Sequence, residues 1–115
     1  MPKYYFGCID TKTGNANAYS AYTERGGHCH HSLLPPRNDI RNHSPTGFQW
    51  GYGGSGPAQL ALAILADHLA DHLEDDIKAL RLYQDFKSKV IAALPQGKPW
   101  QLTPQQIDAA LKAEA

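Results

Sequence analysis

Several things are scarce in this chain of 115 residues, and each scarcity excludes a class of protein. Cysteine occurs only twice, as Cys8 and Cys29, so the chain is no disulfide scaffold. Without a secretion signal the two thiols read as free rather than bridged. The N-terminal residues Met1-Pro2-Lys3-Tyr4-Tyr5 have no apolar core of a signal peptide. The most apolar run, residues 60–65, is far too short to span a bilayer. These absences lead to the expectation of a cytoplasmic protein with no membrane partner. Charge excess is missing too: 11 basic residues face 11 acidic ones. No net field steers the chain onto nucleic acid, so a nucleic-acid partner is disfavoured. No lysine stands between Lys12 and Lys78, which removes any P-loop from the middle of the chain.

What is present begins with alternation. Residues 3–10 read KYYFGCID and residues 17–23 read NAYSAYT, two aromatic-rich strands separated by a turn cluster at residues 11–15. They predict a hairpin. Pro35 and Pro36 stop any strand at Leu34. Residues 37–42 read as an edge strand or an extended segment, and Phe48-Gln49-Trp50 as a short strand or extended run entering a glycine loop.

From Pro57 the pattern changes to helix. Pro57 suits the first helical position, with Ser55 or Gly56 as cap. Leu62, Leu65, Leu69 and Leu73 share one face that Leu60 and Ile64 widen, which predicts a buried central helix over residues 57–73. Glu74-Asp75-Asp76 suits the first turn of a second helix. Ile77, Leu80, Tyr83, Phe86, Val90 and Leu94 recur at three- and four-residue spacing until Pro95 and Gly97 end it. Trp100 and Leu102 pin the next connector to the core. Thr103-Pro104-Gln105-Gln106 is a capping box that opens a third helix running to Ala113. Strands first and helices after argue for one α+β domain, with a β-rich part over residues 1–56 and a helical part over 57–115. A small antiparallel sheet would pack on the buried central helix beside two further helices.

The loop that joins the two parts holds most of the chemistry. Gly51-Tyr52-Gly53-Gly54-Ser55-Gly56 matches the letters of the dinucleotide fingerprint, but the parallel strand that the fingerprint requires is missing. Ser55 lacks the second glycine of a nucleophile elbow, since Pro57 takes its place. What remains is a glycine loop opening a helix, where unpaired backbone N–H groups favour an anion. Gly53, Gly54, Ser55 and Gly56 would line the ligand, and the amides around Gly54 to Ala58 would hold phosphate. Trp50 and Tyr52 would stack on a base or sugar. Arg41, Asn42, His43, Ser44 and Gln59 would orient the ligand. The alternative is a plain strand-to-helix bend, in which glycine permits the turn and the aromatics close the core.

Histidine supplies weaker candidates. His28, His30 and His31 form one cluster, and His68 and His72 lie four apart on a helix. Their spacing fits no closed zinc template and lacks the glutamate of H-E-x-x-H, so a polar loop and a solvated helix face are the expected reading. No metal and no cofactor is therefore expected.

Residues 41–62 (RNHSPTGFQWGYGGSGPAQLAL), with Tyr83-Gln84-Asp85-Phe86-Lys87, Leu94-Pro95 and Trp100-Gln101-Leu102-Thr103, resemble the DUF6166 family of small bacterial, phage and plasmid proteins. The resemblance spans roughly the last two-thirds of the chain. It implies a shared fold and brings no established activity or list of catalytic residues. It also suggests mobile-element biology, in which small neutral proteins inhibit or sequester a host component. The expectation is thus a non-enzymatic binding protein for a nucleotide or nucleotide-derived signal, acting as a sponge or an inhibitor of host defence. An interaction module that blocks a host protein through an aromatic surface is the second reading. A hydrolase built on His43 ranks last, because no acid is placed to orient the imidazole. Homo-oligomerisation is left open.

Overall fold

In the computed structural model, residues 3–43, 47–70 and 76–112 are described. Strand β1 (Tyr4–Ile9) pairs antiparallel with β2 (Ala16–Thr23), the hairpin that the alternation predicts. Asp10 closes its turn: its side chain accepts from the Lys12 amide and its carbonyl from the Gly14 amide.

Two strands were not expected. Strand β3 (Cys29–Leu33) takes the histidine run onto the outer side of β2, and β4 (Trp100–Leu102) lies on the other side of β1. The sheet order is β3-β2-β1-β4, all antiparallel. Residues 37–42 form a turn rather than a strand, and residues 48–50 run extended without pairing. Gly7 is where β4 meets the sheet, since a Cβ there would lie 2.2 Å from Trp100 Nε1. Cys8 and Cys29 are both free, as expected; they sit on strands separated by β2.

Helix α1 (Ser55–Ala70) is buried from Gly56 to Ala66 without interruption, so it is the central element of an α+β fold. It begins before Pro57: the Gly54 carbonyl accepts the Ala58 N–H at 3.0 Å, which makes Gly54 the cap. Pro57 still falls in the first turn, where its missing donor costs nothing. The predicted continuation over residues 71–73 lies outside the described residues.

Helix α2 (Asp76–Phe86) passes directly into a π-helical turn, Lys87–Ile91. The Ala92 N–H reaches back five residues to the Lys87 carbonyl at 2.8 Å. That extra residue rephases the helix. Tyr83 and Phe86 face the core as predicted, but Ile91 takes the fully buried place, while Val90 and Leu94 are only partly covered. Ile77 at the start of α2 is 66% exposed. Helix α3 (Pro104–Lys112) opens with reciprocal bonds between Thr103 and Gln106, the capping box. Its Ile107 is fully buried, and its Asp108 carboxylate accepts a hydrogen bond from His68 Nε2 on α1 across 2.7 Å.

Candidate functional site

The amino end of α1 is reached through a loop fixed at its base. Trp50 is fully buried, and its indole N–H is shared between the Pro95 carbonyl at 3.1 Å and the Lys98 carbonyl at 2.9 Å. Its ring meets Trp100 edge-on at 5.7 Å. The Gly51 N–H then donates to the Ile91 carbonyl at 3.0 Å. Gly51 has φ +84°, and a Cβ there would come within 2.6 Å of the Gln96 backbone, so only glycine serves at this crossing.

Beyond that anchor the loop opens to solvent. Gly53 and Ser55 are exposed, and the Tyr52 ring, 41% exposed, lies against Gly54. The first turn of α1 holds no acidic residue. Ser55 leads with an orphan amide, whereas Gly56 is buried against the Gln49 side chain. Of the loop residues expected to hold phosphate, Gly53 and Ser55 are therefore exposed and Gly54 is half-buried, whereas Gly56 is closed off.

Gln59, one turn into α1, is fully buried, yet all of its amide chemistry is used. Its Nε2 donates to the Pro36 carbonyl at 2.6 Å and to the Arg41 carbonyl at 3.1 Å. Its Oε1 accepts the His43 backbone N–H at 2.7 Å. Residues 36–43 are thus strapped across the helix. Within the strap Arg37 is neutralised by a two-pronged bond to Asp39, at 3.1 Å for each contact, and by Asp76 at 2.9 Å. The Asp39 bond chiefly raises the Arg37 pKa and lowers that of Asp39. Asn42 is spent locally, accepting from Asn38 at 2.8 Å.

The strap delivers His43 to α2. His43 Nε2 lies 2.6 Å from the Tyr83 hydroxyl, which also accepts from Gln84 Nε2 at 3.0 Å. Partial burial lowers the His43 pKa, and the positive charges of Arg41 and Lys87 lower it further. Three basic side chains therefore gather here from the strap and from the π turn. Neither Arg41 nor Lys87 forms an ion pair among the described residues.

The predicted site residues thus separate into two sets. Arg41, His43, Tyr52, Gly53, Gly54 and Ser55 keep accessible groups near the strap or the loop. Trp50 and Gln59 do not, because both are sealed inside with their polar atoms occupied. Neither can meet a ligand without leaving the core. Ser44 lies outside the described residues. Tyr83 and Lys87 join the site although sequence patterning placed Tyr83 in the core stripe. The available signal was the run Tyr83-Gln84-Asp85-Phe86-Lys87, which shares the family resemblance with the glycine loop.

Among the described residues the histidines do not converge. His30 and His31 point to opposite faces of β3; His30 stacks on Tyr22 and reaches Glu24 at 3.1 Å. His68 is buried beside Asp108, and His72 lies outside the described residues. Among the described residues no group of three or more His, Cys, Asp or Glu side chains is placed to hold a metal.

A separate groove of about 440 Å³ runs between the β1–β2 turn and the start of the loop, lined by Asn15, Asn17, Leu34, Pro36, Phe48 and Gln49. Among the described residues it is lined by no ionisable side chain. None of the helices among the described residues is long and apolar enough to cross a membrane.

Residues 12–113 match the family model described as a family of unknown function (DUF6166), so the chain belongs to the DUF6166 family. The match extends toward the N-terminus beyond the loop and helices that carry the resemblance. Comparison with curated proteins and with solved structures gives no match.

Proposed function

We propose that this protein is a non-enzymatic binding protein for a phosphate-bearing small molecule, most simply a nucleotide or a nucleotide-derived signal. The observation that carries this reading is the trio Arg41, His43 and Lys87, with no carboxylate paired to either cation among the described residues. The amides at Gly53 to Ser55 favour the same charge. Exposed Tyr52 offers a ring for stacking. Turnover is not part of the proposal: His43 Nε2 faces a phenol, and no carboxylate orients the ring among the described residues. A protein that holds such a signal without consuming it would act as a sponge or an inhibitor, in keeping with mobile-element biology.

The test is a thermal-shift and calorimetry screen against mono-, di-, tri- and cyclic nucleotides and inorganic phosphate. A ligand at about a hundred times its Kd adds roughly 2.7 kcal/mol of stability. One nucleotide class should shift the protein, and Arg41→Ala and Lys87→Ala should each weaken it about tenfold, the scale of a charge-assisted hydrogen bond. No shift with any phosphate compound would remove the reading.

A second reading rests on the outer face of the sheet. Phe6 stacks on Tyr19 at 5.0 Å, and Tyr4 lies 6.2 Å from Phe6. This aromatic strip suits a protein that blocks a host factor. A Tyr19→Ser variant that loses a captured host protein but keeps nucleotide binding would favour it.

A further inference from the structure

Strand β3 is an edge strand with one row of its backbone turned outward. The Leu34 N–H donates to the Ala18 carbonyl at 2.9 Å, and the Glu24 N–H to the His28 carbonyl at 2.7 Å. These bonds set the phase of the ladder, so Tyr22–His30 and Ser20–Ser32 are the hydrogen-bonded pairs. Cys29, His31 and Leu33 consequently point their N–H and C=O groups away from β2. Among the described residues no backbone group meets them.

Sheets usually guard such an edge with lysine, proline, a bulge or a covering segment. Strand β3 has none of these: it reads Cys-His-His-Ser-Leu, and every residue in it is exposed. Leu33 is 66% exposed. The opposite edge, β4, is guarded by brevity, with 3 residues.

We infer that β3 is the seat of a homodimer, pairing antiparallel with β3 of a second copy about a twofold axis at His31. The outward positions are symmetric about that residue. His31 faces its counterpart, and Cys29 faces Leu33 in both directions. Each facing pair exchanges two bonds, about six in all. The occupant follows from charge. Neither β3 nor the neighbouring outer-face residues Tyr4, Phe6 and Tyr19 carry a formal charge, although the chain has 22 charged residues. A charged partner finds no complement here, whereas a second neutral strip meets no repulsion. Pairing would also cover Leu33 and join the two sheets into one. This inference does not depend on the phosphate site.

The experiment is light scattering on the eluting full chain at low and high micromolar concentration, with three variants. The wild type should run at twice the 12.6 kDa of the chain. His31→Pro deletes the outward N–H and spares the β2 ladder, so it should be monomeric with an unchanged circular dichroism spectrum. Leu33→Lys should also be monomeric, and it keeps the test valid if proline unfolds the edge. His31→Cys, in a Cys8→Ser and Cys29→Ser background, should oxidise to a covalent dimer. Facing Cα atoms of a hydrogen-bonded pair stand about 5.5 Å apart, within disulfide reach. A wild type that stays monomeric at both concentrations overturns the inference. So does a dimer that survives Leu33→Lys or fails to cross-link through residue 31.

Discussion

Replacing Gln59 with leucine tests how the candidate site is held. The two side chains are close in size, so the change leaves little void in a position that is fully buried. What it removes is chemistry. The Pro36 carbonyl, the Arg41 carbonyl and the His43 N–H all lose their bond to the Gln59 amide. Each stranded buried group costs about 1–3 kcal/mol. Arg41 is exposed, so water can reach its carbonyl and soften that share. Leucine returns some transfer energy, about 1 kcal/mol for the apolar surface it buries. The net expectation is a loss of about 3 kcal/mol, near 12 °C in Tm for a domain of this size. Urea unfolding should show a lower midpoint with an unchanged slope, because the surface exposed on unfolding is the same. Phosphate-ligand affinity should fall along with stability, since the strap positions Arg41 and His43. A midpoint change worth less than about 1 kcal/mol would mean the strap is held by something else, and the reasoning above would be refuted.

Other outcomes follow from single contacts. Gly51→Ala should destabilise by about 2 kcal/mol or more, whereas Gly53→Ala, where a Cβ meets nothing within 4 Å, should stay within about 0.5 kcal/mol; parallel denaturation curves compare them. The lowered His43 pKa sets a pH slope of definite sign. The unfolded chain takes up that proton first, so stability should fall as pH drops below the ordinary histidine value of about 6.5 toward the lowered folded value. His43→Gln should flatten that part of the profile, and a steeper profile would contradict the assignment. Trp100→Phe should cost less than about 1.5 kcal/mol, because the indole N–H it deletes is buried without a hydrogen-bond partner among the described residues; Trp100→Ala should cost about 3–5 kcal/mol by the same thermal melts. Asp108→Ala should lower stability by about 1–2 kcal/mol, since it removes one hydrogen-bond acceptor from the buried His68 across the α1–α3 gap.

The fold was legible where one periodicity acted alone. Alternation gave the β1–β2 hairpin, and the apolar stripe gave α1. Strand β3 was obscured because its residues are exposed on both faces, so no alternation is imprinted on Cys-His-His-Ser-Leu. Strand β4 has only 3 residues, too few for a period, and its pairing with β1 is a long-range fact. The π turn broke the helical phase in α2, which is why Val90 and Leu94 were read in place of Ile91. The loop was recognisable as the unusual stretch, but glycine and tryptophan have the same letters whether they serve packing or a ligand. Trp50 proved to be an anchor for the Pro95–Lys98 turn. Gln59 looked like a ligand group because glutamine is seldom fully buried; its use as a backbone clamp depends on three partners 16 to 23 positions away. The basic trio was invisible for the same reason: Lys87 is distant in sequence from Arg41 and His43.

The pairing of β1 with β4 bears on how the protein is made. Tyr5 lies opposite Leu102, so the sheet closes over about a hundred residues of intervening chain. A ribosome delivers β1 early and β4 much later, at roughly 5–20 residues per second. For several seconds the nascent hairpin must wait with one flank bare and the bed for Trp100 over Gly7 empty. Folding of this small sheet is therefore tied to the release of most of the chain, and a messenger cut short before Trp100 would yield a β3-β2-β1 sheet with β1 bare as a second open edge, fit for chaperones and proteases more than for binding.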